Sequence, residues 1–280
     1  MAQRIPDEQI RHLLQRATEL QHSNETTEES HGITPEEPHE SPGGYDLSVL
    51  QDAAGEVGIS AHHVLMAAAE MSVIEKPYSE VLLTRASAFL NHTDRSLSLS
   101  KTIQEPPKKV LQVLNNLASS GEFKLKLQTV YGEDPLTDGI LVFQTPTMEE
   151  WSSDVSKFAT GMYYADIKHL FITIRQNGDD PKSTLLTIHA SLGRTLKLNY
   201  YVGKGCVYGL GGLSILGIGF LTAFNPLATL GLGLVTGLGV GFGTHKGYQW
   251  LYSWGLKKGK QAMEMLAQSV AMGCKALSWN

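Results

Sequence analysis

The sequence predicts an α+β chain with a two-helix transmembrane hairpin and an all-α module at its N-terminus. Three observations predict it. Residues 206–243 contain no charged side chain. One bilayer crossing takes about 20 apolar residues, and this run is nearly twice that long. Residues 97–198 alternate apolar and polar positions at several points, the period of strands with one buried face. Residues 6–21 and 45–71 instead repeat apolar residues at helical spacing.

Length and charge bound the rest. At 280 residues the chain holds one or two domains besides the hairpin. A net charge of −5 argues against a nucleic-acid partner. The charge is uneven: residues 1–44 set three arginines against nine carboxylates. Cys206 and Cys274 are too few for a disulfide framework and fit a reducing compartment. Ile5 to Gln21 is polar and amphipathic rather than a signal peptide, so the hairpin itself is expected to direct insertion.

Residues 1–22 read as a helix, with Asp7 and Glu8 in its first turn and Ile10, Leu13, Leu14, Ala17 and Leu20 on one stripe. Residues 23–44 are rich in Glu, Ser, Thr and Pro and read as a disordered acidic linker, too poor in apolar residues to order itself. Residues 45–92 read as a helical interaction module. Asp46 or Ser48 caps its first helix, Gly58 makes the turn, and Ser60 caps a second helix carrying Val64, Leu65, Ala67 and Ala68. The shape is helix-turn-helix, but a DNA-reading helix presents Arg, Lys, Asn or Gln to bases and phosphates, and Ala61 to Met71 has none. A protein partner at residues 45–71 fits better. Residues 75–91 read as a connector, helical or extended.

Residues 93–200 read as the α+β domain. Ser96 to Ser100 alternates, and Pro106-Pro107 opens a helix that Gly121 ends. Strands are expected at 123–131 (Phe123, Leu125 and Leu127 inward), 139–144, 167–175 and 184–192, the last two joined by the turn at 177–181. One-sided alternation predicts an antiparallel sheet with one covered face. Residues 201–247 are the hairpin, turning at Asn225-Pro226. Gly205 with Gly209, and Gly233, Gly237 and Gly241, recur every four residues, the spacing that lets helices approach in lipid. These five are the expected packing positions, within the hairpin or between copies. Lysines and arginines flank the run on both sides and are absent from its turn, which places both ends in the cytoplasm. Aromatic residues at 200, 201, 208, 248, 250, 252 and 254 suit an interfacial belt. Residues 248–280 read as an amphipathic helix closing the α+β domain, with Ala262, Met265, Leu266, Ser269, Val270, Met272 and Leu277 on its stripe.

Two segments carry resemblances. The pattern IPDEQIRHLLQRATELQ, an acidic linker, then LQDAAGEVGIS is similar to an N-terminal module on many uncharacterised bacterial proteins, where it precedes membrane spans or other domains. It implies a bacterial regulatory or scaffolding module. The order strand, helix, antiparallel strands, helix, with IQEPPKKVLQVLNNLASSGEF as its opening, resembles the START-like (SRPBCC, helix-grip) fold. That resemblance implies a curved sheet gripping a long helix over an apolar cavity for a lipid or hydrophobic ligand. The departure is the hairpin, set between the last strand and the closing helix.

No nucleotide loop, nucleophile elbow, zinc-protease or paired-cysteine motif is present. His169 and His189, on neighbouring strands and the same face as Arg175, are a candidate proton-shuttling pair. Trp151, Phe158, Tyr163 and Tyr164 are candidate cavity linings. No catalytic residue, cofactor or metal is expected. The expected function is non-enzymatic: a bacterial inner-membrane protein whose cytoplasmic START-like domain holds a lipid, apolar ligand or protein partner at the bilayer. The alternative is a self-associating effector or pore, a homo-oligomer built from the glycine helices.

Overall fold

The computed structural model describes residues 4–24, 45–74, 78–132, 134–137, 139–147, 156–178, 180–221 and 226–276. Side chains at 4, 7, 8, 23, 24, 211–221 and 226–238 lie outside that description. So do the acidic linker, Trp151, and the hairpin turn at Asn225.

An N-terminal module forms first. β1 (Arg4–Ile5) pairs with β2 (Tyr45–Asp46) and so brings α1 (Asp7–Asn24) beside α2 (Leu47–Glu56). Asp46 accepts the Ser48 amide at the start of α2. Gly58 turns the chain at φ +83°, a conformation that favours glycine. α3 (Ala61–Ser72) follows, and the Ser60 amide donates to Gln21 Oε1 at 3.0 Å, tying the turn to α1. Residues 80–90, expected only as a connector, are a helix, α4 (Glu80–Leu90).

The α+β unit is a five-stranded antiparallel sheet in the order β3-β7-β6-β5-β4. Its strands are β3 (Ser96–Ile103), β4 (Lys126–Tyr131), β5 (Ile140–Gln144), β6 (His169–Asn177) and β7 (Asp180–Ser191). The first strand therefore lies beside the last, with Leu99 opposite Ile188. α5 (Pro107–Ala118) and α6 (Lys157–Tyr164) interrupt the strand series. α7 (Gly193–Leu221) leaves the end of β7, and α8 (Pro226–Ala276) returns as one helix of 51 residues. The hairpin stem and the closing helix, expected as separate segments, are thus continuous; no breaker separates Gly247 from Gly255.

Both sheet faces are covered, which corrects the expectation of one. Leu141, Phe143, Leu170, Ile172, Ile174, Leu186, Ile188 and Ala190 face α5, α6 and the C-terminal part of α8. Ile140, Val142 and Phe171 point the other way, into Leu13, Ala17, Val64 and their neighbours on the N-terminal module. The unbroken apolar run Ile140–Phe143 is what a strand buried on both sides requires. Phe123 and Leu125 are buried as expected, but they precede β4, and Leu127 is 49% exposed because the register shifts between Leu127 and Thr129. On α8 the buried stripe is Ala262, Met263, Leu266, Ala267, Val270 and Cys274, while Met272 is exposed.

Glycine does its close packing in this domain. A Cβ on Gly259 would stand 2.5 Å from Ala165 Cβ, and one on Gly255 2.5 Å from the Tyr164 carbonyl oxygen. α6 and α8 therefore cross at near backbone contact. The stems of α7 and α8 run antiparallel: Tyr248 Oη donates to Asn199 Oδ1 at 2.9 Å, and Gly203 faces the Tyr248 ring. Among the described residues, no helix is long and apolar enough to cross a membrane. Side chains at 211–221 and 226–238, the centre of the uncharged run, are outside that set.

Candidate functional site: a charged seam between the N-terminal module and the sheet

Where α1, α3, α4 and the β3–β7 edge converge, six ionisable side chains form an alternating chain. His12, Gln15, Arg16 and Glu19 recur at helical spacing on one side of α1. Glu70 comes from the buried side of α3, Glu80 from the start of α4, Arg95 from the segment entering β3, and His189 from β7. Arg16 grips Glu70 with two donors, Nε to Oε2 at 2.7 Å and Nη2 to Oε1 at 3.2 Å. Its Nη1 donates to Glu19 Oε2 at 3.0 Å. Arg95 donates to Glu19 and, at 2.8–2.9 Å, to both Glu80 oxygens. His189 Nε2 donates to Glu70 Oε1 at 2.6 Å.

The electrostatics follow from burial. The Glu70 side chain is only 2% exposed. Burial alone would raise its pKa, but the Arg16 charge and the His189 hydrogen bond outweigh it and hold the carboxyl at about 2. Arg16 is also penalised by burial, and Glu70 and Glu19 more than restore its charge. The adjoining cleft, lined by Arg16, Glu19, Glu70, Tyr78, Glu80 and Arg95 among others, has a volume of about 80 Å³. Ligand pockets run from about 300 Å³ upward, so this cleft holds a few waters. Glu70, held at about 2, is too weak a base to take a proton near neutrality. The arrangement is a lock: alternating charges clamp α1 and α3 onto the sheet edge.

A second group lies on the same sheet face. Burial lowers the pKa of His62 to about 3, with the charges of Arg175, His63 and His189 adding to it. Its Nδ1 has no hydrogen-bond partner among the described residues. His62 is therefore a neutral imidazole pressed between α3 and the sheet.

The sequence-derived candidates are distributed differently. His189 stands opposite Phe171 and His169 opposite Gln144, so the two histidines are offset along the sheet, and His189 takes Glu70 instead. Burial, then Arg194 and Lys168, lowers the pKa of His169. Phe158 is fully buried with its ring edge-on to Phe123 at 5.0 Å; it fills the core rather than lining a cavity. Tyr163 and Tyr164 are 49% and 50% exposed on the outer side of α6, with Tyr164 against Trp254. Trp151 lies outside the described residues. Around Gly205 and Gly209 an added Cβ would meet nothing within 4 Å, so neither faces the other stem, and Gly241 is only in ordinary contact with Val207 at 4.0 Å. The surroundings of Gly233 and Gly237 lie outside the described residues. The apolar side of residues 45–71 is spent on the sheet and on α1, leaving Val49 and Val57 exposed.

Compared with family models, curated proteins and solved structures, the chain matches none. Sequence reasoning missed the seam because Arg16–Glu70 and Glu70–His189 join residues 54 and 119 positions apart. The one local signal was Glu70 itself, a lone carboxylate at the end of the apolar stretch Val64–Ala69.

Proposed function

We propose that this is a non-enzymatic scaffold of the bacterial inner membrane, its α+β domain held at the cytoplasmic face by the α7–α8 hairpin. One observation carries the reading. The two stems leave the sheet side by side and lead into the uncharged run 206–243. From Tyr201 to the end of α7, and from the start of α8 to Lys246, each helix is 21 residues long. At about 1.5 Å per residue this is roughly 30 Å, the thickness of a bilayer's hydrocarbon core. Extraction of cell membranes with alkaline carbonate tests it. The full chain is expected to stay in the pellet, and release into the supernatant would overturn the anchor.

The strand order, first beside last with a long helix across one face, supports the START-like resemblance. A ligand cavity gains no such support. Met162, Leu170, Ile172, Met263, Leu266 and Val270, all between 0% and 1% exposed, fill the space between sheet and helices. The proposed cargo is therefore a protein or the bilayer itself. The N-terminal module acts inward, as a clamp, since a partner at residues 45–71 would meet only its outer polar side. One observation favours a second reading, self-association: the open surroundings of Gly205, Gly209, Gly239 and Gly243 leave stem surface free for another copy. Crosslinking in detergent separates the two, a single high-order species favouring the assembly.

A further inference from the structure

The stems are not uniformly apolar. On α7, Lys197, Tyr201, Lys204 and Tyr208 follow one another at spacings of four, three and four residues, a single stripe along the helix. Tyr201 and Tyr208 are 56% and 69% exposed. On α8, Phe242, Lys246 and Trp250 repeat every four residues, with Trp254, Lys257 and Lys258 below them. Phe242 and Trp250 are 65% and 68% exposed. Of the seven aromatic positions the sequence offered for a belt, Tyr200 and Tyr252 are instead buried in the core.

The cations are held among rings rather than acids. Lys204 Nζ stands 4.7 Å from the Tyr200 ring centre and 5.9 Å from that of Tyr208, Lys246 is 6.0 Å from Phe242, and Lys258 is 5.7 Å from Trp254. No carboxylate occurs between residues 192 and 263. Among the described residues, Lys197, Lys204, Lys246, Lys257 and Lys258 have no ion pair. The contrast with the seam is sharp, since there each of the two arginines bonds two glutamates. Unneutralised ammonium groups ringed by exposed aromatics suit a surface that is anionic and partly apolar.

From this we infer a collar that binds anionic phospholipid headgroups, with Lys204 and Lys246 at headgroup level and Lys197, Lys257 and Lys258 beneath them. The inference rests on the anchor proposed above. Lys204 stands 17 residues before the end of α7, and Lys246 20 residues after the start of α8. These are roughly 26 and 30 Å, so both lysines reach the same boundary of a hydrocarbon core about 30 Å thick. The tyrosines, Phe242 and Trp250 supply the amphipathic rings of an interface.

The test uses the full chain reconstituted into vesicles of phosphatidylcholine with phosphatidylglycerol, one lipid brominated at a time. Tryptophan emission is quenched by brominated neighbours. The collar predicts stronger quenching by brominated phosphatidylglycerol, a preference on the order of five-fold, the worth of about one lysine beside an anionic leaflet. The preference should fall to one in the K204Q/K246Q/K257Q/K258Q variant, whose helical circular dichroism serves as the folding control. Single K204Q and K246Q variants, each with a partial loss, cover the case in which the quadruple variant fails to fold. Equal quenching by both lipids in the unmodified chain leaves the anchor standing and overturns the collar. Quenching by neither lipid overturns the anchor itself.

Discussion

Replacing Glu70 by Gln would keep the shape of the seam and remove its central charge. Arg16, with 17% of its side chain exposed, and His189, with 6%, would then face each other across a neutral amide. Breaking a buried pair by removing one partner costs about 3–5 kcal/mol. The pKa gives an independent figure: a carboxyl moved from 4.5 to about 2 is worth ~3 kcal/mol of folded-state stability. The loss falls on the N-terminal module, because Glu70 is what Arg16 of α1 and His189 of the sheet share. A 3 kcal/mol change raises the opening constant of the clamp by about two powers of ten. Hydrogen exchange reads this directly. Amides of α1 and α3 in E70Q should exchange about 100-fold faster, while those of β6 and α8 change little. The sign with pH is also defined. Glu70 is depressed in the folded state, so its contribution is complete above pH ~4.5 and is lost as pH falls through about 2. Unchanged α1 protection in E70Q, or equal acceleration in β6, would refute the clamp.

Other outcomes follow from the same geometry. His62 is depressed from 6.5 to about 3, so its neutral form stabilises the fold fully above pH ~6.5 and progressively less down to about 3. H62F should flatten urea stability between those pH values, and an unaltered pH profile would count against its burial. G259A forces a Cβ to 2.5 Å from Ala165 Cβ and should lower stability by about 1–3 kcal/mol, read from the melting temperature. G205A, where nothing lies within 4 Å, should instead stabilise α7 by up to about 1 kcal/mol; destabilisation, with loss of a crosslinked species, would show that a second copy packs there. V270A empties part of the fully buried contact between α8 and the sheet and should cost about 1–3 kcal/mol in denaturant unfolding.

Much of the fold was readable where the pattern is local. The stripe Val110, Val113, Leu114 marks α5, and the alternation Leu170, Ile172, Ile174 marks the inner face of β6. The covered outer face was also written in the chain, in Ile140–Phe143, but period-two reasoning sees such a run only as a short apolar block. Glycine misled in a specific way. Four-residue spacing drew attention to Gly205 and Gly209, which face open space, while Gly255 and Gly259, at the same spacing, hold the α6–α8 crossing. Spacing alone does not say which neighbour a helix face meets. The seam was unreadable for a plainer reason: its ions are contributed by five separate segments, and no one-dimensional pattern joins them.

The unbroken course of α8 has a mechanical consequence. A rod of 51 residues, roughly 75 Å long, is anchored by Met263, Leu266 and Val270 at one end and leads into the hairpin tip at the other. With no proline or turn along it, a sideways load at the tip acts through a lever on the layer beneath the sheet, and thickness or curvature at the far end becomes torque in the core.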